Sequence, residues 1–437
     1  TLRNCSIAGF TVSNSGGGVY CIGGSVSNCV VLRNTAAWQG GGVFLAGGGT
    51  LRDSVVENNV AVQGGGALLT LHATVTACVF NNNLAVSSIP GLATQRASGR
   101  KANPGYGGAV CLVNGGVVEQ CALIGNGARN GSAAAVFSAG TLRRSRISGN
   151  IAAYYAAVYC QYGGLVDACT ITDNLALNSA GLMLDNGGTA RNCVIGLNWA
   201  EDVGGANLIG NAVMENCTVC NNTADDTVGG IATSGNPLIK NSIIYHNTSG
   251  AHGDYFLQSG APTFIACCAS PAPSGIGNFA DDPVLAHPQA GYFRLAFDSP
   301  CRDTGTNDLT WMASGTDISG RPRIVGPAVD VGAYEFTNEP VIWASARRLD
   351  FGEVIMGDAA AQALVFGNVG SELMAGQISG VTPPFGLNSG ASYALAPLGV
   401  STATFSFVPE SVATFAVVVT LSGGDGAEVL LHGSAIP

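Results

Sequence analysis

Charge is scarce in this sequence: charged residues are 11% of 437, and Lys occurs only at Lys101 and Lys240. A net charge of −10 with so few cations leaves no clustered basic surface for phosphates, so no nucleic-acid partner is expected. No apolar run reaches the ~18 residues of a membrane helix, and no membrane insertion is expected. A basic-then-apolar leader is missing at Thr1, as in a mature form or a fragment. Helical periodicity is missing too, because apolar residues alternate in twos between glycines that would break a helix.

What is plentiful is Gly, 63 residues of it, and apolar side chains, 47% of the chain. They are arranged with a period. A small residue recurs at Cys5, Cys29, Ser54, Cys78, Cys121, Ser145, Cys169, Cys193, Cys217 and Ser242, spaced by 24 or 25 residues except for one gap of 43. Two residues after each marker the side chain is apolar (Ile7, Val31, Val56, Phe80, Leu123 and so on to Ile244), as it is three before (Val26, Leu51, Val75 and on to Ile239). Five after it, nine coils of ten carry Asn, from Asn34 to Asn247, and only Phe10 departs. Asn tolerates the left-handed backbone of a sharp bend, and stacked amides can hydrogen-bond along a ladder. Gly pairs or triplets such as Gly64 to Gly66 and Gly107–Gly108 open each following short strand.

Such periods signal a solenoid, whose units bury their apolar faces only by stacking. The fold class expected is all-β: a right-handed parallel β-helix with three strands per coil of about 24 residues, handed by the chirality of parallel crossovers. At roughly 4.8 Å per coil it extends on the order of 50 Å. The expected domains are a β-helix over 1–336, irregular over 268–336, and an immunoglobulin-like β-sandwich over 337–437. In the second, alternating runs such as Leu349 to Val354, Ser401 to Val408 and Thr414 to Leu421 are separated by turns such as Gly423-Gly424-Asp425-Gly426.

The fourteen cysteines match a disulfide framework in number but not in position. Stacked marker residues lie near 4.8 Å apart, beyond the ~3.5–4.5 Å between β-carbons of a relaxed disulfide, and Ser replaces Cys freely, so packed thiols are expected. Cys267, Cys268 and Cys301 fall past the regular coils, and their pairing is left open. Two residues before the markers, Glu119, Arg143, Asp167, Arg191, Glu215 and Lys240 alternate in sign, a charge ladder that fixes register at about 0.2–1 kcal/mol per pair.

The Gly-Gly-Ala-apolar strands (Gly65-Gly66-Ala67-Leu68, Gly107-Gly108-Ala109-Val110) with Asn-terminated coils resemble the β-helix repeats of pectate-lyase-like proteins and polymorphic outer-membrane proteins. The segments Tyr292-Phe293-Arg294-Leu295, Ser299-Pro300-Cys301-Arg302-Asp303-Thr304-Gly305, Asp317-Ile318-Ser319-Gly320-Arg321-Pro322-Arg323 and Asp330-Val331-Gly332-Ala333-Tyr334-Glu335 resemble the end of the bacterial choice-of-anchor Q β-helix family. That resemblance implies export and residence at the cell surface or outside the cell. Leu349-Asp350-Phe351-Gly352, Pro383-Pro384-Phe385 and Phe405-Ser406-Phe407-Val408-Pro409 resemble the abnormal-spindle/choice-of-anchor D sandwich, a module that spaces or connects.

A lyase on this fold needs carboxylates converging on one strand face, and a hydrolase needs a carboxylate pair. The outward positions of the Gly-flanked strand read Tyr20, Leu69 and Asn207, with Asp185 alone at the edge, so no catalytic residues are expected. Glu201 and Asp202, eight and nine residues after Cys193, should stack on Asp225 and Asp226, eight and nine after Cys217. Opposed like charges need water, protons or a cation between them. The four are a candidate calcium site, with Trp199 beside it as a sugar-stacking surface; the alternative is a solvated acidic turn. Beyond calcium no cofactor is expected. The long gap holds an excursion from Leu84 to Tyr106 whose Arg96, Arg100 and Lys101 are candidate binding residues. The chain starts inside a coil, so self-association through solenoid ends, or capping by other surface proteins, is expected. The leading expectation is a non-catalytic bacterial surface or extracellular protein, structural or adhesive and filament-forming. A calcium-dependent carbohydrate-binding rod, taking polysaccharide, comes second; a polysaccharide lyase or hydrolase comes third.

Overall fold

Equal coil lengths place equivalent residues over one another, and the computed structural model, which describes residues 1–88, 105–307 and 310–437, is a parallel β-solenoid of about ten turns. Every ladder carries the same offset: Val166 pairs with Ala190, Ile171 with Ile195, Ala176 with Ala200 and Leu184 with Leu208. Both predicted apolar columns point inward. Val118, Leu142, Val166 and Ala190 from one, and Leu123, Ile147, Ile171 and Ile195 from the other, are fully buried in a single core.

The ladders number four, with 12, 11, 9 and 10 strands, where three strands per coil are expected from sequence. In one coil the strands are Leu165–Asp167, Thr170–Thr172, Leu175–Ala176 and Leu182–Asp185, numbered here ladders 1 to 4. The third is only two residues long, too short for alternation to reveal it.

The Asn column has a different job from the one its bend suggests. The left-handed residue lies one place earlier, as at Asn58 (φ 55°), Asn82 (φ 52°) and Asp173 (φ 59°). The Asn side chains themselves are buried and form a continuous amide ladder. Asn126 donates its backbone N–H (2.9 Å) and its Nδ2 (3.1 Å) to Oδ1 of Asn150, and Asn150 does the same to Asn174 at 3.0 and 2.9 Å. Each Nδ2 also donates to a strand carbonyl one coil back, as Asn150 does to Leu123 O at 3.0 Å. The donor of Phe10 N–H to Asn34 Oδ1 starts the series, so an aromatic residue is tolerated there because only its backbone takes part. At the other end Asn247 donates N–H (3.0 Å) and Nδ2 (3.1 Å) to Oδ1 of Asp254, a buried carboxylate whose Oδ2 accepts Ser270 N–H.

The Gly pairs serve the bend before ladder 4. Gly64 has φ +60°, and a Cβ on Gly65 would lie 2.5 Å from Leu84 O and 2.6 Å from Gly108 O, so neighbouring backbones pass too closely for any side chain. All fourteen cysteines are free thiols, Cys267, Cys268 and Cys301 among them, and burial pushes Cys111 and Cys160 up to about 12. Cys220 is fully buried as well.

Leu84–Ala85 pairs with Val60–Ala61 on one side and Gly127–Ala128 on the other, and Tyr106 bridges Gln63 and Asn130. The expected excursion is therefore shorter than Leu84 to Tyr106 at both ends. Arg96, Arg100 and Lys101 lie outside the described residues.

The chain divides into two compact units, Thr1–Asp282 with Asp303–Tyr334, and Pro283–Arg302 with Glu335–Pro437. In the first unit, residues after Asp303 run back along the outside of the solenoid. Thr306 N–H donates to Asn241 Oδ1 (2.9 Å), Trp311 Nε1 to Glu215 Oε2 (3.0 Å) and Ala333 N–H to Thr218 Oγ1 (3.0 Å). Asp317 Oδ1 accepts N–H from Ser319 and Arg321 at 2.9 Å each, which folds the Asp317–Arg323 segment on itself, and Arg323 is fully buried with Nη2 on Asp330 O.

The second unit holds the antiparallel pair Leu285–His287 and Tyr292–Leu295 and two larger sheets. One orders Ile342–Ala344, Ala360–Asn368, Val400–Phe407 and Phe385–Ser389; the other Arg348–Ile355, Ala427–Ile436, Thr414–Leu421, Met374–Ser379 and Ser392–Leu395. Pairing is antiparallel except between Arg348–Ile355 and Ala427–Ile436. Both sheets supply one core, including Phe366, Phe405 and Phe407 from the first and Val419, Val429 and Leu431 from the second.

Replacing Asn150 by Ala strips two buried donors of their acceptor, and urea unfolding should show a loss of roughly 2–4 kcal/mol against an exposed control such as Arg146→Ala. Burial raises the Asp254 carboxyl above the usual carboxylate range, so the folded chain keeps that proton to higher pH than the unfolded chain. This unfavourable contribution grows as pH rises from the unfolded value through the folded one. Thermal melts should therefore show wild type losing stability relative to Asp254→Asn between acidic and neutral pH.

Candidate functional site

Ladder 4 presents the most varied outer face. Its outward column reads Tyr20, Phe44, Leu68, Cys111, Ala135, Tyr159, Met183, Asn207, as the pairing registers dictate. Leu69, expected outward, points into the core, and its neighbour Leu68 takes the outer place. Tyr20 and Phe44 stack at 4.7 Å.

Further along, four rings from three kinds of position converge. Tyr106 and Tyr155 come from the bend before the ladder, Tyr159 from the outward column, and Phe137 from the strand end. Phe137 meets Tyr106 edge-on at 5.3 Å and Tyr159 at 5.7 Å, while Tyr159 stacks on Tyr106 at 6.0 Å and on Tyr155 at 6.3 Å. Such contacts add about 0.5–1.5 kcal/mol per pair beyond area burial. Asp185 is not solitary. Its Oδ2 accepts from Tyr159 Oη (3.3 Å) and Gln161 Nε2 (3.2 Å), and its Oδ1 from Asn186 Nδ2 (2.7 Å). Burial and then the Asp185 charge raise the Tyr159 hydroxyl above its ordinary value, keeping it a neutral donor.

Beside the rings lies a cleft of about 290 Å³ whose walls include Tyr155, Asn178, Met183, Asp202, Asn207 and Gln258. Asn207 Oδ1 is buried there without a hydrogen-bond partner. An aromatic wall opposite amides and a carboxylate can hold a small polar molecule that has both an apolar face and hydroxyls.

The acidic turns are neighbours as expected. Asp226 N–H donates to Glu201 O at 2.8 Å and Val228 N–H to Asp202 O at 3.0 Å, so the two turns stack. Their side chains do not converge: among the described residues no group of three or more His, Cys, Asp or Glu stands close enough to hold a metal. Glu201, Asp225 and Asp226 are exposed, whereas Asp202 turns into the ladder 4 cleft. Trp199 belongs to ladder 3, paired with Leu175 and Thr223, and is 39% exposed. It lies in line with exposed Ile151 and Leu175 rather than in the cleft. The sequence missed Tyr155 and Tyr159; aligning the outward column of ladder 4 coil by coil would have found Tyr159.

No family model matches this chain, and no curated protein matches it. Among solved structures it is similar to the ASH/PapD-like domain 7 of human CEP192, at 14% identity over 26% of this chain and 97% of that one, TM-score 0.21. It is also similar to a family 123 glycoside hydrolase from Clostridium perfringens, at 6% identity over 21% of this chain and 23% of that one, TM-score 0.19. A third likeness is to WR4, a C. elegans MSP family member, at 7% identity over 22% and 97%, TM-score 0.18. With scores this low the fold rests on its own strand pairing. No helix among the described residues is long and apolar enough to cross a membrane.

Tyr159→Ala, which removes the central ring of the cluster, should cost about 3–5 kcal/mol in urea unfolding, and Tyr159→Phe only about 1 kcal/mol. The exposed neighbour Tyr154 serves as the control.

Proposed function

We propose that this chain is a non-catalytic structural and adhesive protein of the bacterial surface or extracellular space. In this reading it is a β-helix of the choice-of-anchor Q type followed by an immunoglobulin-like domain of the choice-of-anchor D kind. The observation that carries it is the ladder 4 face, where aromatic rings and a polar cleft are mounted on a rigid stack of coils. Asp185, the carboxylate nearest the rings, is engaged by Tyr159, Gln161 and Asn186, which suits recognition rather than acid–base turnover. Self-association into filaments belongs to the same reading and is read directly by electron microscopy of the purified chain.

A second reading, a carbohydrate-binding rod, is favoured by the cleft that Asp202 lines with Tyr155, Asn178 and Asn207; calcium enters it only as the expectation from the stacked turns, whose side chains do not converge. Glycan arrays probed with and without a calcium chelator separate the two. Retention of a polysaccharide without release of reducing ends or unsaturated products is the expected outcome. Turnover of a retained polysaccharide would overturn the non-catalytic reading, and loss of retention in chelator would select the calcium-dependent one.

A further inference from the structure

A second cleft, on a different face, is built by the segment that runs back along the solenoid. It has a volume of about 360 Å³, between ladder 1 and residues 311–316, and Arg143, Arg144 and Arg191 all line it. In a chain of net charge −10 the gathering of three guanidiniums is unexpected. Two of them come from the alternating charge column, where Arg143 pairs in register with Glu119 and Asp167, and Arg191 with Asp167 and Glu215. Arg144 is the extra cation, placed next to the column by the left-handed bend at φ 48°.

The carboxylates nearby do not use up the donors. Glu119 accepts one contact from Arg143 (2.8 Å) and one from Arg144 (3.3 Å), and Asp167 lies 3.7 Å from Arg191 Nε. A guanidinium carries five N–H donors, so most remain for another acceptor. Arg191 Nε is buried without a hydrogen-bond partner. Its guanidinium lies over the Trp311 ring at 5.1 Å, and that ring is fixed by its own bond to Glu215 Oε2, so the fork is held in place before any ligand arrives. The column from Glu119 to Lys240 holds three charges of each sign, and Arg144 adds one positive charge beside it. Thr316 stands on the facing wall with a hydroxyl donor.

We propose that this cleft is a binding site for an oxyanion group, a carboxylate, sulfate ester or phosphate monoester, held by Arg143, Arg144 and Arg191. The forked donors match the planar or tetrahedral oxygens of such a group, and hydrogen bonds between ionised partners are shorter and stronger than neutral ones. The site lies on ladder 1 and does not depend on the ladder 4 reading above.

The test titrates the whole chain with glucuronate, inorganic sulfate and inorganic phosphate at low ionic strength, against chloride at matched ionic strength, following tryptophan emission and melting temperature. Saturable binding of at least one probe, weakened about tenfold or more in Arg144→Gln and in Arg191→Gln, is the expected result. Preference for glucuronate assigns a planar carboxylate, and preference for sulfate or phosphate a tetrahedral oxyanion. Arg144 is half exposed, so its variant keeps the fold even where Arg191→Gln does not. Responses no larger than chloride gives, or binding unchanged in Arg144→Gln, would overturn the proposal.

Discussion

The Asn amide ladder is the constraint on which the solenoid depends. Each Oδ1 takes two donors from the coil before it, so every coil is fixed to the next at one buried point as well as along its strands. A buried amide left without its partners costs about as much as a whole side chain of apolar contact gains, which makes the repeat length intolerant of error. Chain length can vary only where the added residues leave the ladder undisturbed. Coils of 25 residues add theirs in the Gly47–Gly49 bend and in the bend around Asp226, and the coil of 43 adds its own between Leu84–Ala85 and Tyr106.

Around that fixed spine, the outside is free to differ from coil to coil. Ladder 1 carries charges of alternating sign, and its last members, Glu215 and Lys240, are buried beneath the returning segment. Ladder 3 carries Ile151, Leu175 and Trp199, and ladder 4 the tyrosines. One core therefore supports three chemically distinct faces, which is how a repeat architecture separates stability from recognition.

The fold was legible because periodicity is a sum over ten coils, and the two apolar columns and the marker column stacked as the spacing implied. The Asn column shows the limit of that reading: the residue type announced a bend, but the left-handed position belongs to its predecessor, and the amide is there to bond. The candidate sites were much less legible. Asp202 was found as one of four carboxylates, yet only the folding of its turn against ladder 4 separates it from its exposed neighbours. Tyr106 and Tyr155 share one phase of the repeat, Phe137 and Tyr159 occupy two others, and the four meet only through the bend geometry. The oxyanion cleft needs residues 311–316 laid over a column 120 or more positions earlier, and nothing local encodes that approach. Asp254, seven residues after Asn247, ends the amide ladder from outside the period, so no column could have pointed to it.

The thiols of Cys29, Cys78, Cys121, Cys169, Cys193, Cys217 and Cys267 sit at successive heights in the same dry interior. Each is shielded by its own coil and by those on either side. The rate at which a thiol reagent reaches each one is thus a local clock for the breathing of that level of the stack. The sequence carries a graduated scale of its own opening, readable residue by residue without any added label.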